Sequence, residues 1–188
     1  MQRHTKGIPG LVFGTAIGAA AWLAPGEASA GPSGFDEGGY VQLAPGFGAV
    51  PLCCGAAYGI GVGGGYLWTP GRMFKIAFGG AFEHYIPGFH TNGMRFRFLP
   101  ELRIGAGTNR IWGYGLIGGS FSLRLRDGRR DDDVHPGLGP QFGGGVLFTV
   151  WKGLYIGGEM DFDVDIYPDQ RDEVSAVMWF KALVGYNF

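Results

Sequence analysis

From Leu154 to Ile166 the chain alternates without interruption between two kinds of residue. Leu154, Ile156, Gly158, Met160, Phe162, Val164 and Ile166 share one parity, while Tyr155, Gly157, Glu159, Asp161, Asp163 and Asp165 share the other. Successive side chains on a strand point to opposite faces, so this segment reads as a strand with one apolar and one acidic face. A helix would spread both sets around its circumference. Two environments suit such a strand. In a soluble sheet the apolar face is the core; in a small transmembrane barrel it meets lipid and the acids point inward.

Both ends of the chain favour the membrane. Arg3, His4 and Lys6 precede a mostly apolar stretch from Ile8 to Ala24, and Ala28-Ser29-Ala30 follows. A positive start, an apolar middle and small residues at −3 and −1 predict a secretory signal peptide over 1–30, cut after Ala30. The barrel is then expected over 31–188. No lipobox precedes a cysteine. At the other end, Phe188, Tyr186, Val184, Ala182, Phe180, Met178, Ala176 and Val174 form an unbroken apolar face, opposite Asn187, Gly185, Lys181 and Ser175.

Between these ends lie eight alternating segments, near Gly39–Val50, Ala56–Thr69, Met73–Tyr85, Met94–Gly105, Ile111–Arg124, Leu138–Val150, Leu154–Ile166 and Val174–Phe188. Tight turns alternate with longer connections. Thr69–Arg72, Thr108–Arg110 and Trp151–Gly153 are short, whereas 51–55, 86–93, 126–137 and 167–173 are longer and richer in Pro, Gly or charge. An even strand number with short turns on one side is an outer-membrane arrangement, placing the termini and short turns in the periplasm. Past the signal peptide, no apolar stretch is long enough for a transmembrane helix, so a membrane span requires a closed barrel. With 15 Lys+Arg against 16 Asp+Glu, the chain also lacks the basic excess of a nucleic-acid surface.

The polar faces gather seven cations, Lys75, Arg95, Arg97, Arg103, Arg124, Arg126 and Lys181. They gather six anions, Glu83, Glu101, Glu159, Asp161, Asp163 and Asp165. Near-balance suits a narrow closed lumen, because an unpaired buried charge costs far more than a paired one. Strand direction places Glu83, Arg95, Arg97, Arg124, Arg126, Asp163 and Asp165 toward the outer end. Lys75, Glu101, Arg103 and Glu159 fall toward the periplasm, and the four acids of 159–165 are expected to pair with arginines of the fourth and fifth segments. Pro45, Pro100 and Pro140 interrupt this pattern. A closed barrel offers no edge on which to hide a missing N–H, so each is expected to mark a bulge or strand end with a local slip of parity.

Eight strands, the signal peptide, alternating connections and a final strand ending in Phe resemble the small outer-membrane barrels of the OmpA/OmpX type. The resemblance is architectural and spans the mature chain. It implies an all-β, eight-stranded antiparallel up-and-down transmembrane β-barrel in the bacterial outer membrane, with an internally plugged lumen. It further implies that Tyr186 and Phe188 carry the signal read by the barrel-assembly machinery. The expected role is structural or surface-interacting, in contact with outer-membrane lipid and lipopolysaccharide, as a monomer and without a cofactor. A narrow channel, a soluble ligand-binding periplasmic barrel and a lipid-modifying outer-membrane enzyme are the alternatives.

An enzyme of the lipid-A deacylase kind would need Ser, His and an acid together near the outer leaflet. The mature histidines are His84, His90 and His135; the residue two beyond His84 is Ile86, and Ser122 is expected to point inward, so no complete constellation is expected. Cys53-Cys54 lies in the first outer loop, open to a vicinal disulfide, an intermolecular pair or an incidental role. Zinc would need ligands that the neighbouring sequence lacks. Asp127–His135 is the most charged stretch, matching no calcium-loop template and reading as a solvated loop that could touch divalent ions or phosphate. The glycine run of 61–65 precedes no helix, so it reads as lumen space rather than a phosphate cradle.

Overall fold

The computed structural model describes residues 34–50, 55–87, 94–126, 133–168 and 173–188. The expected signal peptide, Cys53, Cys54, His90 and Asp127–Asp132 lie outside the described residues, as do the side chains of Arg126 and Ile86. Eight strands follow in order: β1 (Gly38–Val50), β2 (Gly55–Trp68), β3 (Phe74–Pro87), β4 (Met94–Gly107), β5 (Ile111–Arg126), β6 (Asp133–Trp151), β7 (Leu154–Tyr167) and β8 (Glu173–Asn187). Each pairs antiparallel with the next, and β1 pairs with β8 from Tyr40↔Asn187 to Ala49↔Met178, closing the barrel. Closure gives every strand two neighbours and leaves no sheet edge exposed to lipid.

The period-two pattern sorts the side chains. Leu43, Phe47, Phe78, Phe98, Ile117 and Phe142 point out and are about half exposed. Toward the end that carries the termini and short turns, Tyr66, Trp68, Trp151, Tyr186 and Phe188 ring the outside, the girdle of a membrane–water boundary. Leu67, Leu99, Leu147 and Leu183 point in among the charged residues and are buried.

The prolines depart from expectation. The Leu43↔Val184 and Gly46↔Lys181 pairs flank Pro45 in one register, as do Phe98↔Phe121 and Glu101↔Gly118 around Pro100, and Leu138↔Ile166 and Gln141↔Asp163 around Pro140. Each proline thus interrupts the ladder on one side while its other neighbour continues, at Ile60, Gly80 and Gly119. One missing N–H is absorbed without a bulge because the opposite ladder holds the strand straight. The register shift falls instead between Thr149 and Trp151. It leads into a two-residue turn at Lys152 (φ 31°) and Gly153 (φ 86°), where both central residues take the positive φ of a type I′ hairpin. The second difference is β6, which begins at Asp133 rather than Leu138. Ladder pairing with β5 up to Arg126↔Asp133 draws Val134, His135 and Pro136 out of the predicted loop.

Glycine sets how closely β6 approaches β7. A Cβ on Gly143 would stand 2.3 Å from the Met160 carbonyl oxygen and 2.6 Å from Asp161 Cα, and backbone cannot swing away as a side chain can. Gly143→Ala is therefore expected to destabilise the barrel by about 1–3 kcal/mol through overpacking. The shift of the urea-unfolding midpoint in lipid vesicles is the check, and an unchanged midpoint would show that the strands can part at no cost.

Candidate functional site in the barrel lumen

Among the described residues, twelve charged side chains point into the lumen and are nearly all removed from solvent, six cations (Lys75, Arg95, Arg97, Arg103, Arg124, Lys181) and six anions (Glu83, Glu101, Glu159, Asp161, Asp163, Asp165). Their contacts follow from register. Glu83 stands opposite Arg97 across β3 and β4, and Arg97 Nη2 donates to Glu83 Oε2 at 2.6 Å while Nη1 donates to Asp163 across the lumen on β7. Glu159 stands opposite Lys181 across β7 and β8, and Lys181 Nζ reaches Glu83 Oε1 at 2.5 Å, Asp161 Oδ2 at 2.7 Å and Glu159 Oε1 at 3.8 Å. One lysine thus ties together two carboxylates of the adjacent β7 and one, Glu83, from across the lumen on β3. Gln141 Nε2 donates to the same Asp161 oxygen at 2.6 Å.

One layer toward the periplasm, Arg103 Nη2 lies 2.9 Å from Glu101 Oε1 and 3.1 Å from Glu159 Oε2. Its Nη1 donates to Gln42 Oε1 at 2.8 Å, and Tyr114 donates its hydroxyl to Glu159 at 2.6 Å. One layer toward the outside, Arg95 donates to the Tyr85 hydroxyl and to Ser175 Oγ, both at 3.1 Å, and Ser120 donates to Asp165 at 2.6 Å. Aromatic rings fill the gaps: Arg97 sits 5.2 Å from the Tyr85 centroid and 5.4 Å from that of Trp179, and Arg124 sits 5.9 Å from that of Tyr167. Among the described residues, a void beside Glu83 and Lys181 and another beside Phe35 and Arg103 hold about 10 Å³ each. That is the room of a single water.

Two expected pairings are corrected. The acids of β7 do not all meet arginines of β4 and β5: Asp161 binds Lys181 on the adjacent β8, and Asp165 accepts from Ser120. Lys181 wins Asp161 because it sits next door in the sheet, whereas a β4 arginine must cross the lumen. Among the described residues Lys75 hydrogen-bonds no lumen carboxylate; its Nζ donates to the backbone carbonyl of Phe35 at 2.6 Å. The side chain of Arg126 lies outside the described residues. Gln42, Tyr85, Tyr114 and Ser175 complete the network and were missed as partners. Their inward parity was readable, but the parity of a neutral polar residue says nothing about which charge it will meet.

Phe35 had no sequence signal at all. It precedes β1, yet it is only 1% exposed, packing in the periplasmic mouth at 6.0 Å from Trp112 and 5.5 Å from Tyr155 between ring centroids. Ser122 and His84, the pair relevant to deacylase chemistry, are on opposite sides of the wall. Ser122 is buried in the lumen 3.3 Å from the Tyr167 hydroxyl, while His84 stacks outside on Phe96 at 4.7 Å. Tyr186 and Phe188 close the barrel seam: Tyr186 pairs with Val41, and the Phe188 N–H donates to the Gly39 carbonyl at 2.8 Å. Among the described residues, no group of three His, Cys, Asp or Glu side chains is placed to hold a metal.

No family profile and no curated protein sequence matches the chain significantly. Solved structures do. Neisserial surface protein A superposes with a TM-score of 0.61 at 14% identity, over 80% of this chain and 97% of that one. The outer-membrane enzyme PagL gives 0.57 at 10% identity, over 78% and 99%. Ail, the attachment invasion locus protein of Yersinia pestis, gives 0.54 at 14% identity, over 81% and 97%. At these identities the likeness is one of fold, and the fold is that of the small eight-stranded outer-membrane β-barrels.

Proposed function

We propose that this chain is an integral outer-membrane protein of a Gram-negative bacterium whose lumen is closed by charge pairing and whose role is structural or surface-interacting. One observation carries the reading: the wall is apolar on its outside and ionic on its inside, with six cations and six anions of the described residues packed in the interior. Such a wall is stable only with lipid around it and paired charges within it. Neisserial surface protein A and Ail share the fold and are named for the cell surface and for attachment, which supports a surface role here. PagL shares the fold and is an enzyme, but the separation of Ser122 from His84 by the barrel wall favours a non-enzymatic reading for this chain.

Reconstitution of the folded barrel into planar bilayers tests the closed lumen. The expected record is a flat baseline with no stable openings, because ion passage would have to part Lys181 from Glu83 and Asp161 together. Stable openings of uniform size would replace this reading with that of a narrow channel. Heat-modifiable gel migration of the outer-membrane fraction tests the location independently.

A further inference from the structure

The periplasmic mouth holds a pocket whose occupant is supplied by the chain itself. Its walls are Tyr40, Leu67, Trp112, Leu147 and Tyr155, and Arg103 forms the floor. Phe35 fills it so fully that about 10 Å³ remains. The ring is inserted by the arm Gly34–Glu37, which precedes β1 and belongs to no strand. The buried Lys75 at the rim finds its only hydrogen-bond acceptor among the described residues in the Phe35 carbonyl. The arm is then laced to the mouth from several sides. The Phe35 N–H donates to the Asn109 carbonyl at 3.1 Å, Asn187 Nδ2 donates to the Asp36 carbonyl at 2.8 Å, and Tyr66 donates to Glu37 at 3.0 Å.

Three features mark this place as a ligand pocket rather than plain packing. First, the wall that faces Phe35 is aromatic on two sides and carries Lys75 at its rim, while the Arg103 floor is already paired with Glu101 and Glu159, a combination suited to a ring whose anionic group reaches the rim. Second, the Tyr40 hydroxyl and Trp112 Nε1 are buried without hydrogen-bond partners among the described residues. Donors left idle in a buried wall are costly, so the chain's own packing does not fully satisfy the wall around Phe35. Third, withdrawing the arm would strip Lys75 of its acceptor while leaving the β-ladder intact, since the arm contributes no strand pairing.

We propose that the periplasmic mouth is a binding site for a small aromatic carboxylic acid, held closed in cis by Phe35. The ligand ring takes the place of the Phe35 ring between Trp112 and Tyr155. Its carboxylate takes the place of the Phe35 carbonyl on Lys75. The arm is therefore a tethered competitor, and the apparent affinity of the intact protein is lowered by the fraction of time that the arm is seated.

3-Phenylpropionate is the probe, titrated into the folded barrel by calorimetry with 3-phenylpropanol as the control for partition into detergent. Phe35→Ala is expected to bind the acid at least ~10-fold more tightly than the parent, because the competing ring is gone and only the backbone carbonyl of residue 35 remains to be displaced from Lys75. Phe35→Ala combined with Lys75→Met is expected to lose that gain, and the alcohol is expected not to bind saturably to any variant. Asn187→Ala loosens the arm without emptying the pocket and is expected to raise the parent's affinity in the same direction, so the idea is testable even if Phe35→Ala folds poorly. Folded Asn187→Ala and Phe35→Ala barrels that take up no more acid than the parent would overturn the proposal. So would uptake that survives loss of Lys75 or is matched by the alcohol. These outcomes are independent of whether the lumen conducts.

Discussion

Arg97→Met is expected to cost the barrel about 3–5 kcal/mol, the largest loss from any lumen substitution that conserves bulk. Arg97 is 1% exposed and stands between two acids on different strands, Glu83 on β3 and Asp163 on β7. A methionine keeps the volume and removes the charge, so the effect isolates the ion pairs from packing. Glu83 retains Lys181 as a partner, but Asp163 loses its ion pair, and an uncompensated buried carboxylate is what makes breaking a buried pair expensive. Asp163→Leu is expected to cost less, because Arg97 keeps Glu83 and its contacts with the Tyr85 and Trp179 rings. The double variant is expected to be more stable than the sum of the two singles, since neither charge is then left alone. Urea unfolding in lipid vesicles, followed by tryptophan emission, measures all three. Equal midpoints for parent and Arg97→Met would mean that these groups are bathed in water and that the lumen is open.

The second large effect lies on the other side of the wall. Ile117 is 61% exposed and pairs with Leu102 halfway along β4 and β5, near the midplane of the membrane. Ile117→Arg is expected to cost about 2–4 kcal/mol, because a guanidinium there must snorkel a long way or sit in hydrocarbon. Ile111, at the periplasmic start of β5, is 48% exposed, and Ile111→Arg is expected to cost only about 0–1 kcal/mol because the headgroup region is within reach. The comparison is sharper than either value. Lipid makes the penalty depend on depth, whereas water would make both substitutions nearly neutral. Equal, small effects at the two positions would remove lipid from the outer face and with it the membrane reading.

Much of this architecture is legible in the chain because membrane barrels obey a strict rule. Every second side chain must be tolerated by lipid, so strand number and parity survive even in a chain as rich in glycine as this one. The acids of 159–165 and the arginines of 95–103 could be assigned to one interior without knowing a single distance. Parity also carried through Pro45, Pro100 and Pro140, where a bulge had been expected, because the ladder on the far side of each proline holds the register. The start of β6 was harder to see. Val134, His135 and Pro136 look like loop by composition, and only their pairing with β5 makes them strand.

What alternation determines is therefore a surface property, namely which side chains face in and which face out. Alternation is local, set by the backbone geometry of each strand, and so it can be read one residue after another. Pairing inside the lumen is not local. Whether Asp161 meets an arginine or Lys181 depends on the stagger of neighbouring strands and on the distance across a closed ring, quantities that exist only after closure. The same holds for Phe35, whose place in the mouth rests on Lys75, Asn109, Trp112, Tyr155 and Asn187, groups scattered along the chain and brought together by the ring. Sequence decided that Glu159, Asp161, Asp163 and Asp165 face inward, and tertiary structure alone decided what each of them holds.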